Sequence, residues 1–560
     1  MYSKRPTVMG TRHMIASGHY LASLAGFEIL EAGGNAVDAG VAGGIALSVL
    51  ESTYVSFAGV APIAIYLADE RRVVTISGLG WWPKAASCEL FVKHHGGVIP
   101  RGILRTVMPA APDAWITALE HFGTMSFREV AAAAIRFARD GFPMYDFMAA
   151  TIAGSKVEIG EFPGNAAIYM PGGQVPAIGE LFVQPALAAS IAHMCDQERA
   201  NAGRGREAAL DAARDSFYRG DLAAAMLAFH RDQGGLITAE DLAGFRVEIE
   251  PAVHRRFHDI DVYGCNTWCQ GPMLLQELAI LERIDLEPLG HNSPAYLHML
   301  TEAIKLSAAD REAYYGDPRF VTVPLDRLLS DGHAAERLRL IDRARASPDM
   351  PPAGTVEPAA AELDTSYVCV VDRFGNAFSA TPSDPVTSAP VVPATGFVVS
   401  PRGGQSWTDP KHPASVRPGK RPRLTPNPAI AIRPDGFVMP FGTPGHDSQT
   451  QVMLQAFLNI VVFGMELQEA ADAPRICSLS FPSSASPHLS QPGRLLVEAP
   501  LWSEAGAALN AMGHRAEAWP TTGPVYLQNA SAFCAVQRDL RTSVLKGGAD
   551  HRRAAYAVGW

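Results

Sequence analysis

The sequence changes character at residue 365, where a segment without periodicity meets a β-hairpin. Residues 346–364 are rich in proline and alanine and show neither a helical nor a strand period, which predicts a mobile, exposed leader. Two strand-like runs follow at once, at residues 367–371 and 377–381, joined by a turn that contains Gly375. The position singles out Thr365, although a threonine at the start of a strand is ordinarily only a β-former.

Elsewhere the sequence alternates between helical and strand patterns, as in a layered α/β chain. Further helices are predicted at residues 19–50 (interrupted at 33–35), 127–139, 276–283, 294–315 and 449–463, and strand pairs at residues 60–76 and 429–441. A glycine-containing turn at residues 442–448 lies between the last strand and the last helix. A strand, a glycine turn and a helix in this order point backbone N–H groups at an anion or an oxyanion.

The composition argues against several classes of partner. The 47 basic and 57 acidic residues give a net charge of −10, so the chain has no electrostatic basis for binding nucleic acid. No stretch approaches the ~20 apolar residues of a membrane-spanning helix, and no membrane partner is expected. Seven scattered cysteines do not form a disulfide framework, which predicts a cytoplasmic protein.

One pair of cysteines has the spacing of half a zinc site. Cys265 and Cys269 lack a second pair of cysteines or histidines at suitable spacing. We therefore expect neither a metal nor a cofactor.

Several sequence blocks occur in an order that is specific to one protein family. The blocks are HYLASLAGFEILEAGGNAVDAGVA, FGTMSFREVAAAAIRFARDGF, GGLITAEDLAGF, ADREAYYGDPRFV, DTSYVCVVDRFGNAFSAT, KRPRLTPNPAIAI and GTPGHDSQTQ. In this order they resemble the γ-glutamyltransferase family of N-terminal-nucleophile hydrolases, from about residue 10 to the C-terminus. The last block is more similar to the hydrolase branch, which includes oxamate amidohydrolase, than to the transpeptidase branch.

The resemblance implies an αββα four-layer sandwich, a layered α/β fold, that processes itself. The cut would fall between Asp364 and Thr365 and give a large subunit, residues 1–364, and a small subunit, residues 365–560. The two fragments would stay together as a heterodimer, and a dimer of such heterodimers is left open. Together they would form one N-terminal-nucleophile unit.

The resemblance also assigns the catalytic groups. Thr365 would be the nucleophile, and its own freed α-amine would be the base. Ser383 falls where the family has a second threonine that hydrogen-bonds the nucleophile. Gly445 and His446 occupy the family's diglycine oxyanion hole, where backbone N–H groups are the donors. The alternative interpretations are that Ser383 is an ordinary turn serine and that His446 is a solvated loop histidine.

The substrate-binding positions depart from the family pattern. Cys88 falls at the position of the family's carboxylate-binding arginine, Gln405 near its amine-binding aspartate, and Thr425 within its paired serines. Arg402 offers a replacement cation, or else it is an arginine paired on the surface of a loop. With Arg402 in the site, the substrate is a small amide that carries a carboxylate but no α-amine.

Three hypotheses for the function follow from this pattern. The first is a self-processing amidohydrolase that acts through a threonyl ester on a small-molecule amide. The second is a γ-glutamyltransferase, a glutathione hydrolase or a related acylase. The third is a catalytically degenerate scaffold with the same fold.

Overall fold

The computed structural model describes residues 3–350, 365–519 and 531–560. The strands are β1 (Val8–Gly10), β2 (Met14–Ser17), β3 (Ile63–Leu67), β4 (Arg72–Ile76), β5 (Phe142–Pro143), β6 (Leu181–Phe182), β7 (Ile249–Pro251), β8 (Val253–Phe257), β9 (Ile260–Gly264), β10 (Val368–Val371), β11 (Ala377–Ala380), β12 (Ala429–Arg433), β13 (Phe437–Gly442), β14 (Ile476–Ser478), β15 (Arg494–Val497), β16 (Arg515–Ala518), β17 (Cys534–Asp539), β18 (Leu545–Ala549) and β19 (Tyr556–Gly559).

The α-helices are distributed along the whole described chain. They are α1 (Tyr20–Glu31), α2 (Ala36–Leu50), α3 (Cys88–His95), α4 (Ala111–Phe122), α5 (Phe127–Asp140), α6 (Asp146–Gly154), α7 (Lys156–Gly160), α8 (Pro163–Tyr169), α9 (Pro185–Ala200), α10 (Arg206–Tyr218), α11 (Asp221–Gln233), α12 (Ala239–Ala243), α13 (Gly271–Leu281), α14 (Pro294–Tyr314), α15 (Leu325–Leu328), α16 (Asp331–Leu338), α17 (Gln449–Val461), α18 (Leu467–Asp472) and α19 (Ala499–Ala511). None of these helices is both long enough and apolar enough to cross a bilayer.

Two seven-stranded antiparallel sheets form the centre of the fold. The first has the strand order β1-β18-β17-β13-β12-β9-β8, and the second has the order β19-β2-β10-β11-β3-β4-β7. Each sheet combines strands from before and after residue 365. The hairpin β10–β11 lies in the middle of the second sheet, and β10 pairs with β2 on its other side.

The alternation of side chains along the strands explains the layers. In β10, Val368 and Val370 pack against the helical layer of α1, α2, α4 and α5, whereas Cys369 and Val371 pack between the two sheets. In β12, Ile430 joins the layer between the sheets, and its neighbours pack against α13, α14 and α17. Because successive strand residues face opposite sides, strands buried on both faces need apolar residues at every position. The result is the αββα sandwich that the sequence predicts.

The helices next to the second sheet begin and end where the sequence predicts. Helix α1 ends before Gly33, and α2 starts with a capping box in which Asn35 and Asp38 satisfy each other's backbone N–H groups. Every residue of α2 is buried, so its small residues set the distance to its neighbours. A Cβ atom added to Gly40 would lie 2.1 Å from Cδ1 of Phe378 in β11.

Most other predicted elements are confirmed, with one shifted boundary. Helix α13 begins at Gly271 rather than at residue 276, because Pro272 stands in its first turn, where the missing N–H costs nothing. In the leader, Ala346 is buried and donates its N–H to the carbonyl of Met512 at 2.7 Å. Residues 351–364 of the predicted mobile leader lie outside the described residues.

Substituting alanine for Gly40 tests the packing of α2 on the hairpin. We expect Gly40→Ala to lower the stability by about 1–3 kcal/mol, because the phenyl ring of Phe378 is held in the sheet and leaves no room. The matched control is Gly160→Ala in α7, where the added methyl group meets no atom within 4 Å. Thermal unfolding of both variants measures the difference, and an equal melting temperature for both would contradict this packing.

Candidate active site

The start of the β10–β11 hairpin holds two hydroxyl groups in contact. Thr365 and Ser383 form an antiparallel bridge at the open end of the hairpin. Thr365 Oγ1 lies 2.9 Å from Ser383 Oγ, and both residues are fully buried. The pairing extends the register of the hairpin, in which Val368 is opposite Ala380. The structure thus brings the predicted nucleophile and its predicted partner together.

The backbone of Ser383 is fixed by the segment that precedes β3. The Ser383 N–H donates to the Val60 carbonyl at 3.0 Å, and the Ser56 N–H donates to the Ser383 carbonyl at 3.3 Å. A Cβ atom at Gly59 would lie 2.3 Å from that same carbonyl oxygen. Glycine is therefore required at position 59, because any side chain would push Ser383 away from Thr365.

Two side chains from distant parts of the chain also reach Thr365. The Gln449 amide nitrogen, at the first residue of α17, lies 3.4 Å from Thr365 Oγ1. The Arg553 guanidinium donates to the Thr365 carbonyl at 3.2 Å and lies over the Phe147 ring, 4.6 Å from its centroid. The sequence analysis missed both residues, because contacts over 84 and 188 residues leave no local pattern.

Arg402 is buried and contacts the hydroxyl pair. Its Nη2 donates to Ser383 Oγ, and its Nε donates to the carboxylate of Asp384. Both ion-pair partners are inaccessible to solvent, so the reading of Arg402 as a surface arginine is wrong. Burial raises the pKa of the Asp384 carboxyl, and the Arg402 charge opposes that rise. Asp384 adopts a φ of 122°, which is strained for a residue with a side chain.

Gln405 and Thr425 lie next to Arg402. Gln405 Nε2 donates to Thr425 Oγ1 at 2.9 Å, and Arg402 Nη1 lies 3.4 Å from the same hydroxyl oxygen. All three residues are buried. The predicted substrate-binding residues therefore form one polar group adjoining Ser383. By contrast, the thiol of Cys88 points at the Val416 carbonyl, 3.2 Å away.

Gly445 and His446 form the turn between β13 and α17. Both have left-handed backbone angles, with φ values of 118° and 54°. The turn is closed by the Ser448 N–H, which donates to the Gly445 carbonyl at 2.9 Å. Within the described part of the chain, the N–H groups of Gly445 and His446 donate to no acceptor. Two free donors in a turn held to Thr365 through Gln449 are what an oxyanion site requires.

A buried carboxylate supports this turn from behind. Asp447 accepts hydrogen bonds from His446 Nδ1 at 2.8 Å and from Arg311 Nη1 at 2.6 Å. Burial alone would raise the pKa of Asp447, yet the His446 and Arg311 groups hold it well below its usual value. Gln270 completes the support, because its Nε2 donates to the His446 carbonyl at 3.0 Å and its Oε1 accepts from Arg311.

A second ion pair extends this network away from the turn. Glu312 accepts from Arg311 Nε at 2.9 Å and from Arg423 Nη2 at 2.6 Å. Burial would raise the pKa of Glu312, but the Arg423 and Arg311 guanidinium groups lower it to about 2. Glu312 therefore has a structural role, because it joins two buried guanidinium groups.

One group of residues has the chemistry of a metal site, and it lies elsewhere. His298, Glu302 and His514 place their ligand atoms within 4.8 Å of one another. However, Glu302 already accepts from Lys305 Nζ at 2.6 Å and from the Ser347 N–H at 3.2 Å. In α14, His298 precedes the Arg311 network by about 20 Å of helix. His298 and Glu302 hold residues 342–347 in place, and we assign the group to this structural role rather than to binding a metal.

Known proteins of one family resemble this chain over most of its length. The gamma-glutamyltranspeptidase profile matches residues 22–560. The chain belongs to the gamma-glutamyltranspeptidase family. It is 32% identical over 527 residues to the acylase ACY 1 proenzyme of Pseudomonas sp. strain SE83, which covers 91% of this chain and 88% of the relative. It is 30% identical over 478 residues to the oxamate amidohydrolase proenzyme of Klebsiella pneumoniae, with 83% and 85% covered.

A solved structure extends the family likeness to the whole fold. The crystal structure of cephalosporin acylase from Bacillus halodurans matches with a TM-score of 0.87 and 27% identity, covering 100% of this chain and 98% of that one. The predicted family resemblance, with oxamate amidohydrolase and acylases among the relatives, is therefore confirmed. As a member of the gamma-glutamyltranspeptidase family, the chain is an amidohydrolase or acyltransferase.

The charge of Glu312 makes the stability of the turn depend on pH. The pKa of Glu312 is about 2 in the folded chain, against an ordinary value of 4.5 when the chain is unfolded. Because the pKa is depressed, the ionised Glu312 stabilises the folded chain fully above about pH 4.5. This contribution, about 3 kcal/mol, is lost as the pH falls toward 2. We expect Glu312→Gln to flatten the fall of the melting temperature between pH 5 and pH 3. The exposed Glu504→Gln is the control, and an unchanged slope in Glu312→Gln would contradict the assignment.

Proposed function

We propose that this chain is a self-processing amidohydrolase whose nucleophile is Thr365, freed by a cut after Asp364. The observation that carries the proposal is the 2.9 Å contact between the Thr365 and Ser383 hydroxyl groups, near a turn whose N–H groups at Gly445 and His446 donate to no acceptor among the described residues. This is the arrangement that acyl transfer needs, with a positioned nucleophile and donors for the developing oxyanion.

The processing step uses the same groups as the later reaction. Thr365 Oγ1 attacks the preceding carbonyl carbon, the acyl group moves from nitrogen to oxygen, and water hydrolyses the resulting ester. The new α-amine has an unperturbed pKa of about 8, so it can take the proton of its own hydroxyl in the next attack. Asp364 itself lies outside the described residues.

The sheet topology supports a heterodimer of residues 1–364 and 365–560. Strand β2 of the first fragment pairs with β10 of the second, and β9 pairs with β12 in the other sheet. If the fragments separated, the first sheet would lose β1 at one edge and β8–β9 at the other, and the second sheet would be broken on both sides of β10–β11. All seven cysteines are free, which supports the cytoplasm as the compartment.

We propose a small amide with a carboxylate in its acyl part as the substrate. Arg402, Gln405 and Thr425 form the polar group next to Ser383, and Arg402 supplies the positive charge. Asp384 neutralises part of that charge, and the same carboxylate would repel a second anion at close range. The substrate carboxylate is therefore expected near Thr425, on the side of the guanidinium away from Asp384.

A related acylase is the second candidate, favoured by the likeness to cephalosporin acylase over the whole chain. Such an enzyme would use the same nucleophile and the same oxyanion donors on a larger acyl group. A γ-glutamyltransferase is less well supported, because Cys88 and Gln405 replace the groups that hold an amino-acid zwitterion. A degenerate scaffold would not need a strained turn whose two N–H donors lack acceptors in the described part of the chain.

Replacing the nucleophile tests the proposal directly. We expect Thr365→Ala to remain one chain of 59.9 kDa and to lose all activity, because no hydroxyl is left to attack. The wild type should give fragments of 364 and 196 residues, the smaller beginning Thr-Ser-Tyr-Val. Thr365→Ser is the matched control, since it keeps the hydroxyl and should still be cut. A processed, active Thr365→Ala chain would overturn the proposal.

The substrate class is tested by removing Arg402 together with its partner. In Arg402→Gln with Asp384→Asn no buried charge is left unpaired, and the fold should survive. A charged hydrogen bond contributes about 1.5–3 kcal/mol, so kcat/KM for N-(4-nitrophenyl)succinamate should fall about 10–100-fold more than for uncharged N-(4-nitrophenyl)butanamide. Equal losses for the two substrates would contradict a carboxylate contact at Arg402.

A further inference from the structure

His446 occupies a backbone position where a histidine is costly. Its φ of 54° lies in the left-handed region, where any residue other than glycine costs about 1–2 kcal/mol. A glycine there would supply the same backbone N–H without that strain. The oxyanion role of the turn therefore does not explain why the residue has an imidazole ring.

Supporting Asp447 does not explain the imidazole either. Asp447 already accepts three other hydrogen bonds, from Arg311 Nη1 at 2.6 Å, from Ser484 Oγ at 2.6 Å and from the Ser484 N–H at 2.8 Å. The carboxylate is ionised, because it accepts from the guanidinium of Arg311 at 2.6 Å. It is satisfied without a fourth donor.

The contact with Asp447 does fix the orientation and the proton of the ring. An ionised carboxylate only accepts, so the hydrogen between Asp447 Oδ2 and His446 Nδ1, 2.8 Å apart, is on Nδ1. The other nitrogen, Nε2, then lies on the opposite edge of the ring. It is buried and forms no hydrogen bond with the described residues. A carboxylate on one edge and an unused nitrogen on the other is the arrangement of a proton-transfer histidine.

The turn that carries His446 is linked to the proposed nucleophile through Gln449. Gln449 lies three residues after His446, in the first turn of α17, and its amide contacts Thr365 Oγ1 at 3.4 Å. Gln270 holds the His446 carbonyl at 3.0 Å, and Arg311 in turn holds Gln270. These contacts fix the backbone of His446 in a turn that is linked to the proposed nucleophile.

We propose that the His446 imidazole, oriented by Asp447, protonates the amine that leaves and later takes a proton from the attacking water. This inference rests on the proposed function and names a second proton-transfer group for it. The free α-amine serves Thr365 Oγ1, and the histidine serves the other reacting atoms.

The protons balance over one cycle. In acylation Thr365 Oγ1 bonds to the amide carbon and gives its proton to the α-amine. The C–N bond then breaks, and the nitrogen takes a proton from Nε2 of the imidazolium. In deacylation a water oxygen bonds to the ester carbon and gives a proton to Nε2. The C–O bond to Thr365 breaks, and Oγ1 recovers its proton from the α-ammonium group.

The leaving group reveals whether this transfer occurs. The nitrogen of N-butylsuccinamate must be protonated to leave, whereas the nitroanilide nitrogen of N-(4-nitrophenyl)succinamate leaves far more easily without help. We expect His446→Gly to lower kcat/KM, which reports acylation, about 10²-fold or more for the butylamide and about 10-fold or less for the nitroanilide. Added imidazole should restore part of the butylamide activity.

Two further variants make the result decisive. His258→Gly is the matched control, because exposed His258 in the β8–β9 turn has a φ of 52° and lies outside the site; its activity should stay at the wild-type level. His446→Asn tolerates the left-handed backbone and can still donate to Asp447, but it has no nitrogen that titrates. It should show the same dependence on the leaving group, even if His446→Gly fails to fold.

The outcomes separate this inference from the proposed function. A wild-type chain that is neither cut nor active would refute the proposed function, and the role of His446 with it. A wild-type chain that is cut and active, with His446 variants that lose activity equally on both amides or lose none, would overturn the role of His446 alone.

Discussion

The hydrogen bond between Thr365 and Ser383 depends on the register of two central strands, and the site depends on it in turn. The two hydroxyl oxygens are 2.9 Å apart because β10 and β11 pair with Val368 opposite Ala380, which extends to a bridge at the open end of the hairpin. Register is fixed firmly where both faces of a strand are buried, since a slip of one residue would exchange the two faces. The packing of the sandwich therefore positions Thr365, the proposed nucleophile.

Around this bond the site is built from buried charges. Arg402 with Asp384 and Arg311 with Asp447 are each withdrawn from solvent. Such pairs contribute little net stability, because desolvation offsets most of the attraction, but losing one partner is severe. Their effect is to allow one arrangement only. One pair fixes the orientation of Ser383 from the β11 side, and the other fixes the turn with the proposed oxyanion donors.

The sequence predicts the elements better than it predicts these contacts. Strand alternation and helix caps are local, so the β10–β11 hairpin and the stop after α1 could be read directly. The family blocks supplied Ser383 and the turn at His446. The contacts of Asp384 and Arg553 could not be foreseen, because an ion pair or a long-range hydrogen bond leaves no periodic pattern. Arg402 shows the limit well, since its burial is decided by residues that pack over it from other segments.

The topology also explains why the proposed cut before Thr365 would be compatible with a stable enzyme. Each sheet contains strands from both sides of the cut, so neither sheet belongs to one fragment alone. The Ser366 N–H donates to the Pro382 carbonyl at 3.0 Å, which anchors the new terminus one residue after the cut. Covalent continuity at residue 364 then contributes little to the position of Thr365. The strand pairing that holds the nucleophile in the uncut chain is the same pairing that would hold the free α-amine beside it.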